Sequence, residues 1–281
     1  MDNKNQDWHE ASIEEMKDIQ INILKAVSDF CKLNGITFFL MYGSLLGAVR
    51  HKGFIPWDDD VDICMMRPDY ERFINIFNVK QDRYIVRSRM IDQTFPYYFA
   101  KIIDPQTRLE EIIDQKSFDV GINIDLFPLE LVPSDRKQQK KMWKDIMKIK
   151  SKIAFLNIDR MKPRAWYKKS IIELANKFYV KNSLAELYKI LQDVVIKYSY
   201  FPSDSVIEVM TPYGRNSILS KSLFDQAILA PFEDMYVPIP AGYDAILTKL
   251  YGNYMVPPSK EKRISNHTYR AYIKNDVGGK Q

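Results

Sequence analysis

Four carboxylates fall within five residues at Asp58, Asp59, Asp60 and Asp62, and the chain then runs straight into the apolar Ile63-Cys64-Met65. Such crowding restricts what the segment can become. A strand alternates its side chains between two faces, so a strand starting here sets Asp58, Asp60 and Asp62 on one face. Neighbours on that face are about 7 Å apart. At an effective dielectric near 20, each like-charged pair opposes folding by about 2 kcal/mol. A fold that keeps them needs a cation alongside, and hard oxygen ligands suit magnesium, which often holds a substrate phosphate as well. The alternative is a solvated acidic loop or a calcium-type surface site.

The preceding residues favour the first option. Ile36 to Tyr42 is β-branched and aromatic, which predicts a buried strand. Gly43-Ser44 follows as a turn, and Leu45 to Arg50 reads as a short helix. A strand, a Gly-Ser turn and a helix N-terminus direct backbone N–H groups at an anion. Gly43 permits close backbone approach, and Ser44 can cap the helix or bind a phosphate oxygen. Arg50, His51 and Lys52 then put positive charge between the turn and the carboxylates. An ordinary capped turn is the plainer reading of Gly43-Ser44 alone.

The 281 residues allow one large domain or two modest ones, and 46% apolar content supplies a core. Met1 to Glu10 is polar with no apolar stretch behind it, so no secretion signal is expected. The longest uncharged stretch, Leu33 to Val49, is broken by Asn34, Gly35, Gly43 and Gly47 and is too short to span a bilayer. Cys31 and Cys64 read as small core residues in a reducing compartment. Three isolated histidines and two cysteines give no zinc-ligand spacing. A cytoplasmic protein is expected.

The net charge of +5 is unevenly distributed. From Arg136 to Lys181, fifteen Lys and Arg face only Asp145, Asp159 and Glu173, so the remainder is acidic on balance. No nucleic-acid-binding module accompanies this stretch, and its basic residues scatter around the helix, so nucleic acid is not an expected partner. Contact with an anionic membrane surface at the inner face is the functional reading; a solvated helical face is the structural one.

Ser12-x-x-Glu15 is a capping box, and an apolar stripe follows it to Asn34-Gly35. Val61 to Met65 reads as a strand and Pro68 to Phe77 as a helix. Tyr84 to Arg87, Tyr97 to Ile103, Leu109 to Ile112 and Ile122 to Phe127 read as further strands. Residues 135–198 read as helical, with breaks near Pro163 and Asn182-Ser183. Short strands follow Pro202, then a helix from Tyr243 to Tyr251. The expected class is α+β, a mixed sheet flanked by helices. The expected organisation is a core over 1–133, a basic helical elaboration over 134–200 and a C-terminal α+β part over 201–281, forming one globular unit.

Charged residues inside apolar strands single out further positions. Asp125 lies in Ile122-Asn123-Ile124-Asp125-Leu126-Phe127, where a carboxylate is unfavourable without a partner. Lys101 lies in Tyr97-Tyr98-Phe99-Ala100-Lys101-Ile102 and needs a partner equally. Arg50, Lys52 and Lys101 are candidates to neutralise phosphate charge. Trp57 abuts the carboxylates and is either core or a face for a base or quaternary ammonium group. Lys260, Arg263, His267 and Arg270 form a basic tail that either stays solvated or folds back over the site.

Apolar-Gly-Ser, a spacer, then Asp60-Val61-Asp62-Ile63 is the nucleotidyltransferase pattern, with a spacer somewhat longer than usual. The fuller run Tyr42-Gly43-Ser44-Leu45-Leu46-Gly47-Ala48-Val49-Arg50 to Trp57-Asp58-Asp59-Asp60-Val61-Asp62-Ile63 resembles the LicD family of phosphotransferases, which includes the fukutin-related ribitol-phosphate transferases. Three segments continue the resemblance in family order: Ala100 to Thr107, Ile122 to Leu129, and Leu250 to Pro258. Residues 134–200 carry none. The resemblance implies a nucleotidyltransferase-like sheet in which Asp125 joins Asp60 and Asp62 as a magnesium ligand, with manganese as the alternative. Asp58 is next in line as a ligand, and Asp59 points to the other face. Asp125 is also the expected proton acceptor. Gly43, Ser44, Arg50, Lys52, Trp57, Lys101 and His267 are the expected substrate-binding residues. The implied reaction moves a phospho-alcohol, phosphocholine foremost with ribitol or glycerol phosphate as variants, from a CDP-activated donor to a hydroxyl of a glycan. The implied acceptor is a lipid-linked glycan such as teichoic acid or lipopolysaccharide, and CMP is released. Nucleotidyl transfer with pyrophosphate release is the rival activity, and a non-catalytic scaffold is the rival role.

Overall fold

The computed structural model describes residues 8–113, 116–156, 182–263 and 270–275. After a short strand β1 (Trp8–Glu10), helix α1 (Ile13–Asn34) starts where Ser12 caps it. Ser12 Oγ accepts from Glu15 N–H at 3.2 Å and Glu15 Oε2 accepts from Ser12 N–H at 2.8 Å. The helix ends at Gly35, whose φ of 59° is left-handed. Its buried stripe includes Ile23, Leu24, Val27 and Phe30, and also one polar residue, Gln20.

Strand β2 is only Phe39–Leu40, and helix α2 (Tyr42–His51) begins at once. The expected seven-residue strand is therefore cut to two residues, and Gly43-Ser44 form the helix's first turn. Tyr42 carries the reversal, with an unusual φ of 49° for an aromatic residue. Asp58, Asp59 and Asp60 lie in an irregular stretch, and only Asp62 opens strand β3 (Asp62–Met66). Helix α3 (Arg67–Lys80) follows with Pro68 in its first turn and packs Phe73 and Phe77 edge-on against Phe30 of α1.

The chain continues through β4 (Ile85–Arg87), β5 (Ala100–Ile103), β6 (Thr107–Ile113), β7 (Lys116–Asp119) and the long β8 (Asn123–Pro133). Helices α4 (Arg136–Leu156) and α5 (Leu184–Ser199) precede β9 (Ser203–Ile207) and β10 (Leu219–Ser220). A hairpin of β11 (Ala227–Phe232) and β12 (Met235–Pro240) leads to α6 (Tyr243–Tyr251), and β13 (Arg270–Lys274) ends the described chain.

The main sheet runs β10-β9-β8-β3-β2, with β5 also on β8 and β4 on β5. Strand β8 unites it, pairing parallel with β3 and antiparallel with β5 and β9. One apolar core lies between this sheet and helices α1, α2, α3 and α6. A second joins α4 and α5 to the end of β8 and the residues around Ile207. Strands β1-β13-β6-β7 form a separate sheet. The architecture is mixed α+β, as expected. Cys31 and Cys64 are buried free thiols. Among the described residues no helix is long and apolar enough to cross a membrane. Residues 157–181, much of the basic stretch, lie outside the described residues.

Candidate active site

Parallel pairing sets Asp62 of β3 beside Asp125 of β8, and antiparallel pairing sets Lys101 of β5 on the other side of Asp125. Partners in register point the same way, so the three form one row across three strands. Lys101 Nζ donates to Asp125 Oδ1 at 2.8 Å and to Asn123 Oδ1 at 3.1 Å. The ammonium also sits over the Tyr97 ring at 4.6 Å. The buried lysine and the strand carboxylate, each unfavourable alone, thus satisfy one another.

Above the row is a cavity of about 550 Å³ lined by Asp58, Asp60, Asp62 and Asp125. Its other lining includes Gly43, Trp57, Phe99, Phe127, Tyr213 and Tyr251. The loop carboxylates therefore reach the same space as the strand carboxylates. Burial, then Asp60, Asp125 and Asp58, push the Asp62 carboxyl well above the usual range against the opposing pull of Lys101. A divalent cation would reverse that balance. All the nearby ligands are carboxylate oxygens, which fits magnesium or manganese and not a soft metal. Among the described residues, the tightest trio is Asp58, Asp59 and Asp60, whose oxygens lie within 4.8 Å of one another. Asp59, expected to face away, belongs to that trio. Asp60, Asp62 and Asp125 share the cavity but are spaced more widely.

Local packing explains the loop. A Cβ on Gly43 would meet Asp58 Oδ2 at 2.6 Å, so glycine allows this carboxylate to lie against α2. Gly47 is held more strictly, since its Cβ would lie 2.3 Å from the Gly53 carbonyl oxygen. Ser44 is buried, and its Oγ accepts from Asp62 N–H at 2.8 Å. It fixes the start of β3 and is not among the cavity-lining residues. Gln20 was not singled out in the sequence. From α1 its Nε2 donates to the Asp59 carbonyl at 3.0 Å and the Asn123 carbonyl at 3.3 Å, latching the loop to β8. A lone amide in an apolar helical stripe was its signal.

The expected cations lie outside the cavity lining. Arg50 donates to His51 Nε2 at 2.8 Å and to the Tyr254 carbonyl at 2.6 Å. Burial, then Arg263, disfavour its charged form. Lys52 is exposed and closes α2 with a left-handed φ of 62°. Burial and Arg50 lower the basicity of His51, which meets Trp57 edge-on at 6.2 Å. Arg263 does fold back, its guanidinium 5.3 Å from the Trp57 ring centre. Arg50, Trp57 and Arg263 thus form a cationic rim. His267 lies outside the described residues.

The remaining wall was not foreseen. Glu208, Met210, Thr211, Pro212 and Tyr213 line it beyond β9. Tyr213 stacks on Tyr42 with ring centres 5.8 Å apart and meets Tyr251 edge-on at 5.6 Å. Lys150 of α4 holds this wall, donating to the Val209 carbonyl at 2.8 Å and the Thr211 carbonyl at 2.9 Å. Glu208 and Lys101 each carried the same signal, a charge within an apolar run.

Residues 35–165 match the LicD/FKTN/FKRP nucleotidyltransferase domain. The carboxylate loop, the β3–β8 pair and Lys101 all lie inside that span. Over that span the chain is similar to the LicD family. Lipopolysaccharide cholinephosphotransferase LicD of Haemophilus influenzae is 29% identical to it over 267 residues, spanning 93% of this chain and 98% of that protein. An uncharacterized protein of Rickettsia typhi is 37% identical over 81 residues, and one of Rickettsia prowazekii is 45% identical over 47. The similarity to the LicD-family transferase thus extends past the domain into α5 and the Glu208 wall, whereas the Rickettsia matches are local.

Proposed function

We propose that this protein transfers phosphocholine from a CDP-activated donor to a hydroxyl of a lipopolysaccharide-type glycan, releasing CMP. The observation that carries the reading is the register of Asp62 with Asp125 beneath Asp58 and Asp60 in one cavity. It is joined by end-to-end similarity to a lipopolysaccharide cholinephosphotransferase. Asp58, Asp60, Asp62 and Asp125 would hold magnesium or manganese, which when bound neutralises phosphate charge. Lys101 pairs with Asp125 and holds its carboxylate in place. The guanidinium groups of Arg50 and Arg263, at the rim beside Trp57, would supply positive charge to a diphosphate bound there. The aromatic lining supplies faces for a base or for the trimethylammonium group of choline. Such a lining favours phosphocholine over the hydroxyl-rich ribitol and glycerol phosphates. Teichoic acid is the alternative acceptor, and a lipid-linked glycan would bring the protein to the inner membrane face.

Product analysis tests this. The purified protein is incubated with magnesium, a glycan acceptor and, in parallel, CDP-choline, CDP-glycerol, CDP-ribitol and nucleoside triphosphates. Acceptor-dependent CMP release from CDP-choline, lost on removing magnesium and in Asp62→Ala, is expected. Pyrophosphate release from a triphosphate would replace this reading with nucleotidyl transfer. A folded Asp62→Ala protein with unchanged turnover would refute the carboxylate assignment.

A further inference from the structure

The reaction needs a group to take the proton of the attacking hydroxyl, and the expected one, Asp125, is poorly placed to do so. Its Oδ1 is already engaged in an ion pair with Lys101 at 2.8 Å. Asp58, Asp60 and Asp62 form the acidic group suited to a cation. His51 is outside the cavity lining and accepts a hydrogen bond from Arg50.

Glu208 differs from all of these. It lines the cavity although only 3% exposed. Its Oε1 accepts from Met210 N–H at 2.7 Å, which fixes the carboxylate plane. Its Oε2 accepts a long bond, 3.3 Å, from the hydroxyl of Tyr42, itself a cavity residue. One oxygen is anchored and the other is held loosely at the reaction space.

We propose that Glu208 is the general base of the transfer. This rests on the reaction proposed above and names its proton acceptor. The acceptor hydroxyl oxygen forms a bond to the distal phosphorus of the donor as the bond from that phosphorus to the bridging oxygen breaks. The bridging oxygen leaves with CMP and takes the bonding pair. The hydroxyl proton moves to Glu208 Oε2 and passes on to solvent.

The electrostatics agree. Burial raises the Glu208 carboxyl to about 7, opposed by Met210 N–H, Lys150, the Tyr42 hydroxyl and Thr211 N–H. A carboxylate of that basicity is suited to proton abstraction near neutral pH. The groups facing it are Tyr42 from α2, Lys150 from α4 and Tyr98 from the approach to β5. Behind Tyr98 stand Glu130, which accepts from its hydroxyl at 3.3 Å, and Arg67, which is ion-paired with Glu130.

The test is the pH profile of CMP release by the full-length protein with magnesium, CDP-choline and glycan acceptor. Wild type is expected to lose kcat/KM towards acid with an apparent pKa near 7. Glu208→Gln keeps an acceptor for Met210 N–H but cannot take the proton. It is expected to lower kcat by about 10²–10⁴-fold, abolish the acid limb and leave the KM for donor within about threefold. Glu208→Asp should retain the limb at reduced rate. If Glu208→Gln does not fold, Tyr42→Phe serves instead. Losing a hydrogen bond that favours the carboxylate should move the limb to higher pH. A Glu208→Gln enzyme with near-wild-type kcat or an unchanged limb, or an unmoved limb in Tyr42→Phe, overturns the assignment while the transfer reaction stands. A wild-type protein that releases no CMP from any donor overturns both.

Discussion

Replacing Lys101 by methionine tests the carboxylate row directly. The ammonium lies 2.8 Å from Asp125 Oδ1, with the two side chains 6% and 20% exposed. At an effective dielectric near 20 that separation gives an attraction of about 6 kcal/mol. Stripping water from the ammonium offsets part of it, and one-sided loss of a buried pair leaves a net destabilisation of about 3 kcal/mol. A second contribution comes from across the sheet. Adjacent strands set register partners about 5 Å apart, where Asp62 and Asp125, both ionised, would repel by about 3 kcal/mol. Lys101→Met is therefore expected to lose about 3 kcal/mol in urea unfolding with EDTA present. Magnesium should restore part of this by replacing the lost positive charge. Adding Asp125→Asn to Lys101→Met should recover stability, giving a coupling of about 2–3 kcal/mol in the double-mutant cycle. A coupling below about 0.5 kcal/mol would show that the pair contributes little and that Asp125 is held by other means.

Three further outcomes follow from the same geometry. Gly43→Ala pushes on the Asp58 carboxylate, so calorimetry should find magnesium affinity reduced at least about tenfold with little change in Tm, whereas Gly47→Ala drives a methyl into the Gly53 carbonyl and should lose about 2–3 kcal/mol of stability; equal effects on Tm would count against this account. Asp62→Asn removes the most crowded buried carboxylate, so without metal the variant should unfold at higher urea than wild type, and a lower midpoint would contradict the electrostatic reading. Glu208 has a folded-state pKa above its ordinary 4.5, so the folded protein binds the extra proton and wild-type stability falls as pH rises from 4.5 to about 7. Relative to Glu208→Gln the loss should approach about 3 kcal/mol, and parallel pH curves for the two proteins would refute it.

Helix α1 was legible end to end because its signals are local: a capping box at Ser12 and a left-handed glycine at 35. Helix α6 was equally plain, and its observed span is the one expected, Tyr243–Tyr251. The β-branched and aromatic residues from Ile36 to Tyr42 favour a strand, while tertiary packing needs α2 to start early. Only then does Gly43 lie under Asp58 and Ser44 reach the Asp62 N–H. The four carboxylates were legible as a group, but their geometry was not: three come from a loop and one from a strand. Lys101 and Asp125 were each recognised as buried charges in need of partners. That they are each other's partner depended on pairing between β5 and β8, which no local pattern encodes. The β1–β13 pairing, between the two ends of the chain, was invisible for the same reason.

The anchor from Lys150 to the Val209 and Thr211 carbonyls divides the work of the site between two parts of the chain. The acidic row is mounted on β3 and the start of β8, whereas α4 packs against the far end of β8. The facing wall hangs from α4, which packs with α5 and the far end of β8 in the second apolar core. Resizing or tilting that helical pair therefore resets the width of the cleft without disturbing the carboxylates. A fold built this way can exchange one acceptor for another by remodelling its helices and leave its phosphate chemistry unchanged.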